Sequence, residues 1–420
     1  MVRPIGRSFL NAEVKDLGLI REKSSESYLP QMWDDGIGNK GGISMSRTIH
    51  SVKPYFPPED IEEVKEVVGK VLQSGMLTNY TYTRNFEKQF AELCNVRHAV
   101  AVNSGTAALE IALRTIGLKS GDEVLVPTNT FGATAAAVIF AGGKPIFTDI
   151  DPETLCINAE NIQKYLSPRT RGVVAVHIGG LICPDIKAIK EICGDRGLFL
   201  VEDAAHAQGC TINGEPAGSF GDSACFSFYA TKVMTTGEGG MITTNNNEVA
   251  RMAQVLRDQG KDSDSGLIVD LGNNWRLPEV NAAIGIVQLK RLPEIIEKRN
   301  MIAKYYDKEL GKFDCIEVQK IPWNIVDNYY KYVTFIDRDI SRDEVKMKLR
   351  EKGVRCGDAV YWPPLHLHPV YRRLLKTKEG DFPKAEDVCK RMLCPPLNSW
   401  MSRDDAEYVI SKIDETLSEI

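Results

Sequence analysis

Between residues 98 and 203 five short runs are apolar almost from end to end: 98–102, 123–126, 145–148, 172–177 and 198–203. Segments with helical spacing of apolar residues separate them, at 107–116, 131–141, 162–165 and 185–193. A strand that is apolar on both faces must be covered on both faces, and alternation with helices supplies the cover. The expected fold class is therefore α/β, a large and mostly parallel sheet sandwiched by helices.

The pattern extends in both directions. Pro58 opens a segment with acidic residues in its first turn and apolar residues at helical spacing. After Pro293 a helix is expected to about residue 310, then a second α/β unit: a strand at 330–336, a helix at 342–352 and an extended piece at 354–360. A chain of 420 residues is too long for one small core. The expected division is an N-terminal extension over 1–46, a large domain over 47–300 and a smaller C-terminal α/β domain over 301–420. The extension is polar, lacks a sustained period and ends in a glycine-rich stretch, 36–42.

Composition narrows the function. A net charge of −5 gives no electrostatic reason to expect nucleic acid. No apolar run reaches the length of a membrane span, and no apolar core marks a signal peptide. The ten cysteines are scattered, without a Cys-x-x-Cys pair or a histidine at zinc spacing. No metal site is expected, and free thiols fit a reducing cytoplasm.

In such sheets ligands bind beyond the carboxyl ends of the strands. Ser104, Gly105 and Thr106 open a helix straight after a strand, where free amides, hydroxyls and a glycine make a phosphate cradle. No Walker A or Gly-x-Gly-x-x-Gly motif follows a strand. Phe131, at a helix start, can stack on a flat ring. Asp203 ends a buried strand, with His206 just beyond, and its carboxylate wants a cationic partner such as a protonated pyridine nitrogen. Lys232 follows the apolar run from Ala224, where an ammonium is costly unless solvated, paired or neutralised. An imine with a carbonyl cofactor would neutralise it. Singly, these residues also read as a capping turn, a core aromatic, a helix cap and a solvated lysine. Phosphate turn, aromatic, acid and lysine at the strand ends of one sheet favour one site.

With these residues in place, the chain resembles the DegT/DnrJ/EryC1/StrS family of pyridoxal-phosphate-dependent sugar aminotransferases, of fold type I. The matching stretches include Asn-Ser-Gly-Thr from Asn103, Glu-Asp-Ala-Ala-His from Glu202, and Phe-Ser-Phe-Tyr-Ala-Thr-Lys ending at Lys232. Thr-Gly-Glu-Gly-Gly from Thr236, Gly-Asn-Asn-Trp-Arg-Leu from Gly272 and Pro-Leu-His-Leu from Pro364 also match. The resemblance covers nearly everything after residue 50.

It implies pyridoxal 5'-phosphate as cofactor, with Lys232 as the lysine that forms the internal aldimine, Asp203 as partner of the pyridinium and Phe131 stacked on the ring. Gly105 and Thr106 would hold the phosphate through their amides, Ser227 would add a hydroxyl, and His206 would lie near the ring hydroxyl. Asn274 would reach the phosphate of a neighbouring subunit's cofactor, which implies a homodimer with shared active sites. Arg276, His366 and Tyr80 are the substrate-side candidates. Tyr80 lies where the family often has Gly-Pro and this chain has Asn79-Tyr80-Thr81.

The implied reaction is ping-pong transfer of an amino group from L-glutamate or glutamine to a nucleotide-linked keto sugar, a 4-keto-6-deoxy sugar being favoured. A keto-cyclitol aminotransferase is the near alternative, and a non-catalytic regulatory homologue a remoter one. A sugar dehydratase of the same family would carry histidine in place of Lys232.

Overall fold

The computed structural model describes residues 47–420; the 1–46 extension lies outside the described residues. All five apolar runs form strands of one seven-stranded sheet. They are β2 (His98–Val102), β3 (Glu123–Pro127), β4 (Lys144–Thr148), β5 (Thr170–Val176) and β6 (Phe199–Asp203). β7 (Ser223–Ser227) and β8 (Gly240–Thr244) complete it, and β1 (Ile49–His50) lies elsewhere. The strand order is β2-β8-β7-β6-β5-β3-β4.

Pairing is parallel from β4 through β7, while β8 runs antiparallel to both β7 and β2. Reversing twice across β8 returns β2 to the common direction. The carboxyl ends of β2, β3, β5, β6 and β7 therefore share one edge of the sheet, where this class of fold places its ligands.

Helices cover the sheet: α1 (Pro58–Ser74), α2 (Thr81–Leu93), α3 (Gly105–Thr115), α4 (Gly132–Phe140), α5 (Ala159–Tyr165), α6 (Ile186–Arg196) and α7 (Asn247–Arg257). Ser104 caps α3, its hydroxyl accepting from the Ala107 amide. The start of α2 is held by buried Glu279, whose carboxylate accepts from the amides of Tyr80, Tyr82 and Thr83 and from the Thr83 hydroxyl. An acid placed there satisfies orphan donors and favours the positive end of the helix.

The helix expected after Pro293 starts earlier. α8 spans Glu279–Leu310 with Pro293 inside it. The helix persists through the proline because apolar side chains around it, Leu292 and Ile295, are both buried against the main core. From Ile302 onward α8 packs into a second core, with Tyr306, Leu310, Val345 and Val354. Ile49 belongs to that core as well, and β1 pairs with the residues Val354 and Arg355.

The strand expected over 330–336 is confined to Thr334–Ile336. Upstream of it the backbone is engaged elsewhere. The Arg299 guanidinium donates to the carbonyls of Asn328, Tyr329 and Tyr330, and the Asn328 side chain accepts from the Tyr330 amide. Among the described residues all ten cysteines are free, no group of three or more His, Cys, Asp or Glu could hold a metal ion, and no helix is long and apolar enough to cross a membrane.

Candidate active site

Where the strand ends converge there is a cavity of about 320 Å³. Gly105, Thr106, Phe131, Asp203, His206, Ser227 and Lys232, named from the sequence, all line it. At one end stands the amino terminus of α3. Its approach to the sheet depends on small residues: a Cβ on Gly105 would lie 2.8 Å from Ser227 Cβ, and one on Gly240 would lie 2.4 Å from the Ser104 carbonyl oxygen. The first-turn amides have no intrahelical partner, and the helix dipole favours an anion there.

At the other end lies Asp203, 5% exposed. Burial pushes its carboxyl pKa up, opposed by hydrogen bonds from Thr134 and the Ala205 amide and by the charge of Lys232. The Thr134 hydroxyl is 2.7 Å from Oδ2, and the Ala205 amide 3.2 Å from Oδ1. A buried carboxylate held by neutral donors is arranged to receive a cation.

His206 is kept neutral. Burial lowers its pKa well below the ordinary imidazole value, and Lys232 and Lys331 lower it further. The Gly179 amide donates to Nδ1, so the ring proton sits on Nε2 and faces the Tyr361 hydroxyl at 3.1 Å. The Tyr330 ring stacks on the imidazole, with centroids 4.2 Å apart. Asn328 fixes the loop below by donating to the carbonyls of His206 and Gln208.

Phe131 is 59% exposed, which a large aromatic at a cavity edge tolerates when its face is meant for a ligand. Its nearest aromatic neighbour is Tyr361, centroids 5.8 Å apart. Lys232 follows β7 on a bend, its amide donating to the Tyr229 carbonyl. Its ammonium nitrogen stands 4.5 Å from the centre of the Tyr330 ring. The cavity thus presents an anion-binding helix end, an acid, an exposed flat ring and a primary amine. A flat cofactor with a phosphate, a basic ring nitrogen and a carbonyl fits that set of donors.

Four residues named from the sequence are not among those lining this cavity. His366 is fully buried, and both ring nitrogens are taken. The Thr128 hydroxyl, which accepts from the His366 amide, donates to Nδ1 at 2.7 Å, and Nε2 donates to Glu386 at 2.9 Å. It braces the loop after β3 against the helix at Pro383–Arg391 and has no free edge for a substrate. Arg276 is paired with Asp258. Tyr80 and Asn274 are exposed, Tyr80 with its amide on Glu279.

Conversely, Thr134, Glu238, Tyr330 and Tyr361 were not named as site residues from the sequence, although Thr134 touches Asp203 and the other three line the cavity. Thr134 had a signal: it lies one helical turn after Thr130 at a strand-end helix start. Tyr330 and Tyr361 had none, because long connections from the far side of α8 bring them in.

Comparison with known proteins gives the family. The DegT/DnrJ/EryC1/StrS aminotransferase family matches residues 58–414. The chain is 35% identical over 336 residues to a GDP-perosamine synthase of Caulobacter vibrioides, covering 79% of this chain and 89% of that protein. It is 34% identical over 372 residues to dTDP-4-dehydro-2,3,6-trideoxy-D-glucose 4-aminotransferase of Saccharopolyspora spinosa, covering 84% and 92%. The crystal structure of the aminotransferase TlmJ from Streptoalloteichus hindustanus superposes with a TM-score of 0.81 at 34% identity, covering 88% of this chain and 99% of that one. The chain belongs to the DegT/DnrJ/EryC1/StrS aminotransferase family. It is an enzyme, a transferase with the fold-type-I architecture.

Proposed function

We propose that the protein uses pyridoxal 5'-phosphate to move an amino group from L-glutamate or glutamine to a nucleotide-linked keto sugar, a 4-keto-6-deoxy sugar in particular. One observation carries the cofactor: Lys232, Asp203 and the amino terminus of α3 line a single cavity at the strand ends. The relatives named GDP-perosamine synthase and dTDP-4-dehydro-2,3,6-trideoxy-D-glucose 4-aminotransferase support a sugar on a nucleoside diphosphate, the second also a keto group at C4.

The amides of Gly105 and Thr106 would hold the phosphate, with the Ser227 hydroxyl beside them. Asp203 would pair with the ring nitrogen, Phe131 would lie on the ring face, and Lys232 would join the carbonyl carbon. When bound, the cofactor supplies an electron sink for the pair left when a carbon–hydrogen bond breaks. Asp203, fixed by Thr134, holds negative charge where it keeps a ring nitrogen protonated. Lys232 Nζ holds and moves a proton between carbon atoms. Neutral His206 donates through Nε2–H to Tyr361 and leaves the charges of the site to Lys232 and Asp203. Asn274, exposed and not among the residues lining this cavity, suits the homodimer in which it would serve a second copy's site.

The test is a panel of GDP-, dTDP- and UDP-linked keto sugars incubated with L-glutamate and the cofactor. Mass-spectrometric appearance of one amino sugar supports the reading, and absence of product with every nucleotide sugar would refute it.

A further inference from the structure

The Tyr330 phenol lines this site, and the proposed chemistry has given it no role. It reaches the cavity from the far side of α8, and its position is enforced. Arg299 grips the carbonyls of residues 328–330, Asn328 takes the Tyr330 amide at 2.9 Å, and the Lys331 amide donates to the Gly179 carbonyl. The His206 imidazole stacks on the ring, and the Lys232 ammonium stands 4.5 Å from its centroid, close enough to act on the phenol. Its hydroxyl lies 3.2 Å from the Thr231 hydroxyl. That much framework is not needed to fill space.

We propose that Tyr330 is the proton partner of Lys232, its phenol oxygen taking a proton that the lysine amine sheds and returning it; this rests on the amino-transfer reading. The step balances simply. An Nζ–H bond of the ammonium breaks and an Oη–H bond forms on the phenolate, leaving a neutral amine and a phenol, with no change of oxidation state. The amine is then free to attack a carbonyl or to take a proton from carbon, neither of which an ammonium can do.

Two further observations agree. Burial alone would hold the phenol protonated, but Lys232 and Lys331, with the Thr231 hydroxyl, overcome it and bring the pKa down to about 8. The charged or titratable groups around it are Lys232, Lys331, His206, Tyr361, Arg299 and Asp327, and His206 is held neutral. A second cavity of about 10 Å³ includes Ser51, Lys53 and Arg299 in its lining, and Tyr330, Thr231 and Lys232 line both spaces. It is at the lower limit for one water, and its polar lining would let Tyr330 and Lys232 exchange a proton with that water.

The experiment reads the phenol itself in cofactor-free protein, as the pH-dependent tyrosinate absorbance of wild type minus Tyr330→Phe. One tyrosine should titrate near pH 8. In the Lys232→Met background the midpoint should rise by about one unit or more. A midpoint at or above that of free tyrosine, or one indifferent to Lys232→Met, overturns the proposal whether or not the enzyme transfers amino groups. In the loaded enzyme, Tyr330→Phe keeps the ring on His206. It should lower kcat by about 100-fold and erase the pH limb near 8, with KM for L-glutamate within about threefold. Unchanged kcat and pH profile would equally overturn it. Loss of all product with every nucleotide sugar would refute the substrate assignment instead, and the phenol titration would still decide the role of Tyr330.

Discussion

Thr134 Oγ1 donates a 2.7 Å hydrogen bond to Asp203 Oδ2, joining the first turn of α4 to the last residue of β6. The Thr130 hydroxyl is also 2.7 Å from that of Thr134. Because the single Thr134 proton is committed to the carboxylate, Thr130 is the donor in that second bond. A chain of two hydroxyls therefore fixes the rotamer of a buried acid and favours its charged form.

Removing the donor isolates its effect. Thr134→Val keeps the shape and deletes the bond, so affinity for pyridoxal 5'-phosphate should fall by about tenfold, in line with a hydrogen bond to a charged group. Thr134→Ser should restore it. Spectroscopic titration of both variants is the measurement, and wild-type affinity in Thr134→Val would show that Asp203 needs no orientation.

Asp203 itself sets stability against function. Its folded pKa is raised by burial above the unfolded value. The folded state therefore binds the proton more tightly, and this group's contribution is most favourable in acid and is lost as pH rises through the folded pKa. Cofactor-free Asp203→Asn should thus be more stable than wild type at pH 7, by about 1 kcal/mol, and the gain should shrink as pH falls below the folded pKa. Amino transfer should fall by at least about 100-fold. Urea unfolding at pH 7 and pH 4, beside a turnover assay, tests the sign; a variant less stable at pH 7 would contradict it.

His366 separates a brace from a substrate contact. His366→Ala removes one hydrogen bond each from Thr128 and Glu386 and opens a void, so it should destabilise the fold by about 2–4 kcal/mol. The KM for the sugar nucleotide should stay within about twofold in protein that remains folded at low temperature. A large rise in KM with unaltered stability would return His366 to the substrate side.

Much of this site was legible because chemistry at strand ends is local in sequence. Ser104-Gly105-Thr106, Asp203 and Lys232 each follow an apolar run, and each run became a strand with its carboxyl end at the same edge. What was not legible depends on contacts remote in sequence. Tyr330 looks like part of a strand until the Arg299 guanidinium, some 30 residues away, takes the backbone carbonyls around it. His366 carries a motif but no indication that Thr128 and Glu386 occupy both its nitrogens. Pro293 reads as a helix start, yet burial on both sides of it lets α8 run through.

The central claim is that Lys232 is the residue that holds the cofactor's carbonyl carbon. Borohydride reduction of the protein with pyridoxal 5'-phosphate, followed by peptide mass mapping, tests it most directly. The account predicts one pyridoxyl group per chain, on the peptide containing Lys232, and none at the matching yield in Lys232→Ala. Labelling spread over surface lysines, equal in wild type and Lys232→Ala, would contradict it.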